Sequence, residues 1–234
     1  MAYLEFPLAQ GWTRGLTICF GGIQDTIEFD AKSAIFLKQV HGNTLVEVSS
    51  LAQAPAEALG PADGAYAFGE NFKNSGLKIV IRTADCLPLF YVDHKNHKIA
   101  GIHAGWRGLT QKIHILPFKN LGFDPKTTWA WVGPSLSRDD FEVKSDMWTQ
   151  FDSVIQGDTR IFSPHTKDPQ QKLFDPWALI DRDFKSLGVE LVYNVEVNTY
   201  RDPKLASYRR ACHQKTQIPL PHQNFSWIGF SAPG

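Results

Sequence analysis

The sequence contains few cysteines and no excess of either charge. Its 234 residues include three cysteines, Cys19, Cys86 and Cys212, which are odd in number and far apart. This excludes a disulfide framework and favours a reducing compartment. Lysine and arginine together number 24, as do aspartate and glutamate. Since no excess positive charge is available to displace counterions, we expect neither a nucleic-acid nor a membrane partner, but a small molecule bound in a pocket.

Long apolar runs are also absent. No segment approaches the roughly 18–20 consecutive apolar residues that a membrane-spanning helix requires. The first twelve residues, MAYLEFPLAQGW, have neither the basic region nor the apolar region of a signal peptide. We therefore expect a cytoplasmic protein.

Several common catalytic motifs are missing. The sequence has no GxGxxG, GxxxxGK[ST], HExxH or HxE…PCxxC segment. This removes the usual signatures of dinucleotide folds, P-loop proteins, one class of zinc proteases and the zinc base deaminases. The eight histidines include no HxH pair, so the chain is too poor in ligands for a four-copper oxidase. One metal ion fits this composition and four do not.

Short runs rich in β-branched and aromatic residues predict many strands. They cover 34–40, 45–48, 77–81, 89–92, 98–103, 128–132, 189–195 and 225–230. Residues 41–44, between the first two runs, predict a hairpin-like break. Stretches rich in proline and polar residues predict surface loops at 51–61 and 163–171.

Three helices are predicted among these strands. The clearest covers 175–187, where Asp175 caps the start, Pro176 occupies the first helical position and Gly188 ends the helix. A second covers 109–121 and is limited or kinked by Pro117, and a short capped helix is expected over 145–151. Many strands with scattered helices indicate an α+β fold, a layered α/β sandwich of mixed sheets flanked by helices. We expect a single domain over residues 1–234.

Reactive side chains are concentrated at the ends of three predicted strands, in the segments KQVHG, TADCLP and IHAGWRG. Two histidines and a cysteine, His41, Cys86 and His103, are a plausible ligand set for Zn²⁺ that leaves a fourth position open. Alternatively, Cys86 is a nucleophile and one of the histidines is its base. A buried structural cysteine with hydrogen-bonded histidines is the simplest interpretation, and spacing alone does not exclude it.

Four polar residues near these segments are candidates for substrate contacts. Arg107 lies between Gly105 and Gly108 near a predicted helix start, which suits a phosphate or a carboxylate, or it is a solvated surface arginine. Asp85 either orients a ligating histidine or caps a turn, and Asp63 is either a turn former or an acid or base. Gln39 would lie on the same side of an extended strand as His41, where it bonds a purine edge or is simply exposed. Two further histidines, His94 and His97, are expected to be solvated in a polar turn.

The segments QVHG, TADC-x-P and HAGWRG, in this order, resemble the three signature segments of the laccase-domain family. That family also carries the names multicopper polyphenol oxidoreductase, purine nucleoside phosphorylase and peptidoglycan editing factor. Further matches are ADGA at 62–65, WVGPS at 131–135, FDP at 174–176 and SYRR at 207–210. The resemblance therefore runs from about residue 38 to residue 210.

The resemblance implies a fold, a metal and an activity. It implies a single-domain layered sandwich in which His41, Cys86 and His103 hold one zinc ion, copper being less expected, and form the catalytic centre. The implied activity is that of a zinc-dependent purine nucleoside phosphorylase that also deaminates adenosine. The implied substrates are adenosine, inosine and methylthioadenosine. The expected partners are the nucleoside and phosphate. A monomer or a small homo-oligomer is expected.

The resemblance also brings Arg209 into the pocket, where it joins Gln39, Asp63, Asp85 and Arg107 as a substrate-binding residue. Three other functions remain open at this point. They are a Cys/His or zinc amidase acting on misbuilt peptidoglycan precursors, a polyphenol oxidase-type oxidoreductase, and a metal-binding protein without catalytic activity.

Overall fold

A computed structural model describes residues 4–8, 11–22, 32–53, 59–73, 75–215 and 223–230. Within these ranges the chain forms fourteen strands and six α-helices. The strands are β1 Leu4–Leu8, β2 Leu16–Phe20, β3 Ala34–Phe36, β4 Leu45–Glu47, β5 Gly64–Phe68, β6 Lys78–Thr83, β7 Leu87–Asp93, β8 Lys98–Ala104, β9 Thr128–Val132, β10 Glu142–Val143, β11 Phe162–Pro164, β12 Lys172–Phe174, β13 Leu191–Asn194 and β14 Asn224–Phe230. The helices are α1 Trp106–Thr110, α2 Leu116–Asn120, α3 Ser145–Trp148, α4 Asp152–Ile155, α5 Pro176–Leu187 and α6 Tyr208–Gln214.

The described strands form three sheets. A five-stranded sheet has the order β1-β2-β14-β6-β3, a six-stranded sheet has the order β13-β9-β7-β8-β5-β4, and a small sheet has the order β10-β12-β11. Both large sheets are mixed. Strand β3 runs parallel to β6, β4 runs parallel to β5 and β13 runs parallel to β9, whereas the central pairs are antiparallel.

The six-stranded sheet is covered on both faces. Along β7, Leu89 and Tyr91 pack into a core shared with α5, whereas Phe90 and Val92 pack into a core shared with the five-stranded sheet. Side chains alternate between the two faces of a strand, so a strand buried on both faces reads as a continuous apolar run. The result is three layers, two sheets and one layer of helices, which confirms the predicted layered sandwich.

The sequence predicts the central strands well and the connection between β3 and β4 poorly. Strand β9 has the predicted bounds, and β8 extends one residue beyond its predicted end. The hairpin-like break at 41–44 is wrong, because β3 pairs with β6 in one large sheet and β4 pairs with β5 in the other. The chain therefore crosses between the sheets at this point. Strands β1, β2 and β5 and the small sheet are absent from the predicted set.

Among the predicted helices, α5 is confirmed in detail. The side chain of Asp175 accepts a hydrogen bond from the backbone N–H of Ala178 at 2.9 Å, and Gly188 ends the helix with a positive φ of 72°. The single helix over 109–121 is wrong. Lys112 adopts a left-handed conformation that separates α1 from a 3₁₀ turn over Ile113–Ile115, and α2 then begins with Pro117 in its first turn. Of the helix predicted over 145–151, only Ser145–Trp148 is α-helical, and it lacks a side-chain cap. Thr149–Phe151 forms a 3₁₀ turn.

The two predicted loops have different outcomes. Residues 51–53 form a 3₁₀ turn, and residues 54–58 of the same predicted loop lie outside the described residues. The loop at 163–171 begins within β11 and leads into β12, so it belongs to the small sheet. In the described parts of the chain, every helix is too short or too polar to cross a membrane.

Candidate metal centre

The structure brings His41, Cys86 and His103 together at one end of the sandwich. Their ligand atoms all lie within 4.8 Å of one another. His41 lies in the crossover from β3 to β4, Cys86 lies in the crossover from β6 to β7, and His103 lies near the end of β8. In the described residues this is the one group of three or more histidine, cysteine or acidic side chains with such spacing. These three side chains could together hold one metal ion.

Asp63 builds the turn that carries His41. The backbone at His41 is left-handed, with a φ of 61°, a conformation that residues other than glycine seldom adopt. The carboxylate of Asp63 accepts hydrogen bonds from the backbone N–H groups of Val40, His41 and Gly42 at 3.3, 2.9 and 2.7 Å. These three bonds fix the turn and thereby the position of the His41 ring.

Asp63 also orients His103. It is fully buried, and its Oδ1 atom lies 2.8 Å from Nδ1 of His103. Burial raises the pKa of Asp63, but the hydrogen bonds from His103 and the Gly42 N–H outweigh burial, so the pKa lies below its usual value. An ionised Asp63 accepts the Nδ1 proton and leaves Nε2 of His103 as the ligand atom, a common arrangement behind metal-binding histidines.

The charges in the site favour a thiolate at Cys86. Burial raises the pKa of the Cys86 thiol, but the positive charge of His103 and hydrogen bonds from both histidines outweigh burial and lower the pKa to about 6. Burial likewise lowers the pKa of His103, and the Cys86 thiolate together with Asp63 reverses this and raises it to about 9. A thiolate is both the metal-binding and the nucleophilic form of cysteine.

A glycine allows the ligands to approach the start of α1 closely. A Cβ atom at Gly105 would lie 3.0 Å from Cδ2 of His41 and 3.3 Å from Sγ of Cys86. Both distances are shorter than ordinary van der Waals contact, so the glycine in the HAGWRG segment serves the packing of the site.

The three candidate ligands line a cavity of about 610 Å³, a volume typical of small-molecule sites. One wall is apolar, and it includes Leu109, Leu136, Phe141, Val143, Met147 and Phe174. Three arginines, Arg82, Arg107 and Arg209, belong to the rest of the lining. The cavity thus combines an apolar surface with positive charge beside the ligand set.

Arg107 and Arg209 are placed differently within this lining. Arg107 is exposed in the first turn of α1, and its guanidinium carbon lies 4.3 Å from the centre of the Trp106 ring. Among the described residues it has no acidic partner. The guanidinium of Arg209 instead contacts Glu142, with Nη1 at 2.8 Å from Oε2.

The other candidate substrate residues have their polar atoms engaged by the protein. Gln39 lines the cavity, but its amide donates to the backbone oxygen of Arg82 at 2.7 Å and accepts from the N–H of Arg82 at 2.9 Å. Asp85 also lines the cavity, where it accepts from Thr199 Oγ1 at 2.6 Å and from the Arg209 N–H at 2.7 Å. Among the described residues Asp85 has no hydrogen bond to His41 or His103, so the first of its two predicted roles, orienting a histidine, is not seen there. The carboxylate that is hydrogen-bonded to His103 is that of Asp63.

Sequence reasoning also missed some features. Tyr208, at the start of α6, and Arg82, near the end of β6, both line the cavity. The one sequence signal for them is that Tyr208 belongs to the SYRR segment and Arg82 directly precedes the TADC segment. His94 and His97 were expected to be solvated, but each of them has a side-chain partner. His94 stacks on Trp129 and bonds Glu190 at 2.7 Å, and His97 bonds Glu70 at 2.6 Å.

Comparisons with known proteins agree with this description. The family model of the multi-copper polyphenol oxidoreductase laccases matches residues 21–217. A purine nucleoside phosphorylase from Rickettsia conorii is 28% identical over 190 residues, which are 80% of this chain and 75% of that protein. A purine nucleoside phosphorylase from Escherichia coli is 27% identical over 177 residues, 75% of this chain and 68% of that protein.

Two solved structures share the fold. A protein of Neisseria meningitidis superposes with a TM-score of 0.71 at 22% identity, covering 93% of this chain and 94% of its own. A hypothetical protein of Bacillus licheniformis superposes with a TM-score of 0.74 at 17% identity, covering 92% and 93%. Because the family model matches most of the sequence, the chain belongs to the family of multi-copper polyphenol oxidoreductase laccases.

Proposed function

We propose that this protein is a zinc-dependent purine nucleoside phosphorylase that also deaminates adenosine in the same cavity. The observation that carries the proposal is the group of His41, Cys86 and His103 on the wall of a cavity that Arg107 also lines, an arginine with no acidic partner among the described residues. The names of the relatives from Rickettsia conorii and Escherichia coli support the nucleoside as the substrate class.

The donor set fits zinc. Two imidazole nitrogens and one thiolate are preferred zinc ligands, and three protein ligands leave a position open, as in catalytic zinc sites. The hydrogen bond from His103 to Asp63 supplies the outer partner that such ligands usually have. When bound, zinc supplies a Lewis acid that lowers the pKa of water and polarises a substrate atom.

The residues of the chain account for the remaining requirements of phosphorolysis. In this reaction a phosphate oxygen bonds to C1′ of the ribose while the bond from C1′ to the purine nitrogen breaks and its electrons leave with the base. Arg107 binds the phosphate, because its guanidinium has several donors and no competing carboxylate among the described residues. The apolar wall around Phe141 and Phe174 packs against the nucleoside and keeps competing water from it.

One alternative is favoured by a specific observation. Cys86, His103 and Asp63 follow one another as thiolate, imidazole and carboxylate, the order of a nucleophile, its base and the group that orients the base. A cysteine amidase would use this order without any metal ion. The two functions differ in their need for phosphate and for zinc.

Product analysis with zinc-loaded protein tests the proposal. Adenosine, inosine and methylthioadenosine are each incubated with and without phosphate, and the bases and sugar phosphates are quantified. We expect free base and sugar phosphate in equal amounts only when phosphate is present, and inosine from adenosine in both conditions. Release of base without phosphate, or no turnover of any nucleoside by protein that contains zinc, contradicts the proposal.

A further inference from the structure

Arg209 is held at the cavity by Glu142, a residue that does not line it. Its Nη1 atom donates to the backbone oxygen of Glu142 at 2.9 Å and to the Oε2 atom of the same residue at 2.8 Å. The guanidinium also lies 5.7 Å from the centre of the Phe141 ring. Its Nε and Nη2 atoms have no partner among the described residues, so two donor groups of a cavity-lining arginine are unused.

Glu142 is itself fixed by His213. The Nε2 atom of His213 lies 2.8 Å from Oε1 of Glu142, and Nδ1 lies 3.0 Å from the hydroxyl of Tyr200. Because a carboxylate only accepts hydrogen bonds, Nε2 carries the proton of the first contact. Arg209 and His213 are four residues apart in α6, so they lie on the same face of the helix and each bonds one oxygen of Glu142.

We propose that His213 and Glu142 are positioning residues that hold Arg209 for the phosphate of the reaction. This inference rests on the proposed function, in which the nucleoside is neutral and phosphate is the one anion. An unused part of a guanidinium matches an oxyanion in geometry and charge. A mobile arginine side chain loses conformational entropy when it binds phosphate. An arginine that is already held by Glu142 has lost this entropy before phosphate binds. The pinned Arg209 therefore completes the phosphate site together with Arg107.

The anchoring of Arg209 extends to the candidate metal ligands. Its backbone N–H donates to Oδ2 of Asp85, the residue before Cys86. The first turn of α6 is thus fixed to the crossover that carries Cys86, and its last turn is fixed to β10 through His213 and Glu142. Both contacts fix the position of the Arg209 guanidinium relative to His41, Cys86 and His103. A phosphate that reacts with a bound nucleoside requires such a fixed position.

His213→Ala in the zinc-loaded full chain tests the inference. Alanine is the best helix former, so α6 is kept, but the contact with Glu142 is lost. We expect the KM for phosphate at saturating inosine to rise about fivefold, the effect of losing one typical hydrogen bond, with kcat changed less than about twofold. His213→Gln, which retains an N–H donor at a similar reach, restores the KM. His97→Ala breaks a comparable His–Glu pair far from the cavity and leaves both constants unchanged.

A double-mutant cycle with Glu142→Ala shows whether His213 acts through Glu142. We expect His213→Ala to have no further effect on the KM for phosphate in the Glu142→Ala background. An unchanged KM in His213→Ala, an equal defect in His213→Gln, or additive effects in the cycle would overturn the inference.

Direct binding of inorganic phosphate, measured by calorimetry, separates this inference from the proposed function. If the zinc-loaded wild type cleaves no nucleoside, the proposed function fails. The inference then stands if His213→Ala binds phosphate about fivefold more weakly than the wild type. It is overturned if the two proteins bind phosphate equally.

Discussion

His41 and His103 reach the same point by different backbone routes. His103 is part of the extended strand β8, whereas His41 sits in a left-handed turn that costs a residue with a side chain about 1–3 kcal/mol. The three backbone hydrogen bonds to Asp63 offset this cost, and the same carboxylate holds the ring of His103. Asp63 thus determines the positions of two ligands without lining the cavity.

Asp63→Asn keeps the size of the side chain but replaces one acceptor oxygen by an NH₂ group. Because every neighbour of Asp63 here is a hydrogen-bond donor, we expect the free energy of unfolding to fall by about 1–3 kcal/mol. Zinc affinity should fall about 10–100-fold. Chemical denaturation and competition with a chelator measure the two effects, and unchanged zinc affinity would show that His103 is oriented by other contacts.

Arg107→Ala separates the two proposed activities. Arg107 is exposed and has no acidic partner in the described parts of the chain, so its removal leaves no uncompensated charge. We expect kcat/KM for phosphate-dependent cleavage of inosine to fall about tenfold or more, while deamination of adenosine changes less than about twofold. Steady-state assays of both reactions check this. Equal loss of both activities would show that Arg107 serves a step common to them.

At the scale of elements, the sequence predicts those helices and strands whose bounds are set by residues within or next to them. Helix α5 is predicted to within one residue because Asp175, Pro176 and Gly188 mark its two ends. Strands β7 and β8 are predicted because both of their faces are buried. The helix over 109–121 fails because its apolar spacing continues across Lys112, whose left-handed backbone only the tertiary contacts select. The break at 41–44 fails because a single sequence does not reveal which sheet each flanking strand joins.

The junction of β8 and α1 depends on Gly105. In Gly105→Ala the new Cβ would press on His41 and Cys86 at 3.0 and 3.3 Å, and we expect zinc affinity to fall about tenfold as the ligands move apart. Gly42→Ala is a matched control in the same region, because its Cβ would meet only ordinary contacts, at 3.5 Å or more. Chelator competition compares the two variants, and equal zinc affinity would show that the ligands are less closely confined.

Asp93, the last residue of β7, has a buried carboxylate whose contribution to stability depends on pH. Asp93 accepts hydrogen bonds from the side-chain amide of Asn96, from the backbone N–H groups of Asp124 and Asn96, and from the hydroxyl of Thr127. Burial raises its pKa, but these bonds outweigh burial and lower it. The stability that Asp93 contributes is therefore present above the pKa of the unfolded chain, near 3.9, and is lost as the pH falls through the lower folded value.

We expect Asp93→Asn to lower the free energy of unfolding by about 1–3 kcal/mol at pH 7. The difference from the wild type should shrink as the pH falls below about 4. Urea denaturation at several pH values measures this, and a difference that does not vary with pH would show that the charge of Asp93 contributes nothing.

At the scale of the whole molecule, the site forms where the chain passes between the two large sheets. The ligands are far apart in sequence, and two of them lie in crossovers that the layered architecture brings to the same end. The short motifs of the sequence predict these three residues as candidate ligands, and the structure brings them together. It does not predict the support from Asp63 or the contact of Arg209 with Glu142, because these depend on which elements become neighbours in space.

The central claim is that Cys86 is a metal ligand of a zinc enzyme, and zinc content together with turnover in Cys86→Ser tests it most directly. A hydroxyl is a much poorer zinc ligand than a thiolate, so we expect folded Cys86→Ser protein to lose most of its zinc and its phosphate-dependent cleavage of inosine in parallel. His103→Ala should behave in the same way, and circular dichroism verifies folding. A folded Cys86→Ser protein that retains one zinc ion per chain but no activity would contradict the account and assign Cys86 as a nucleophile.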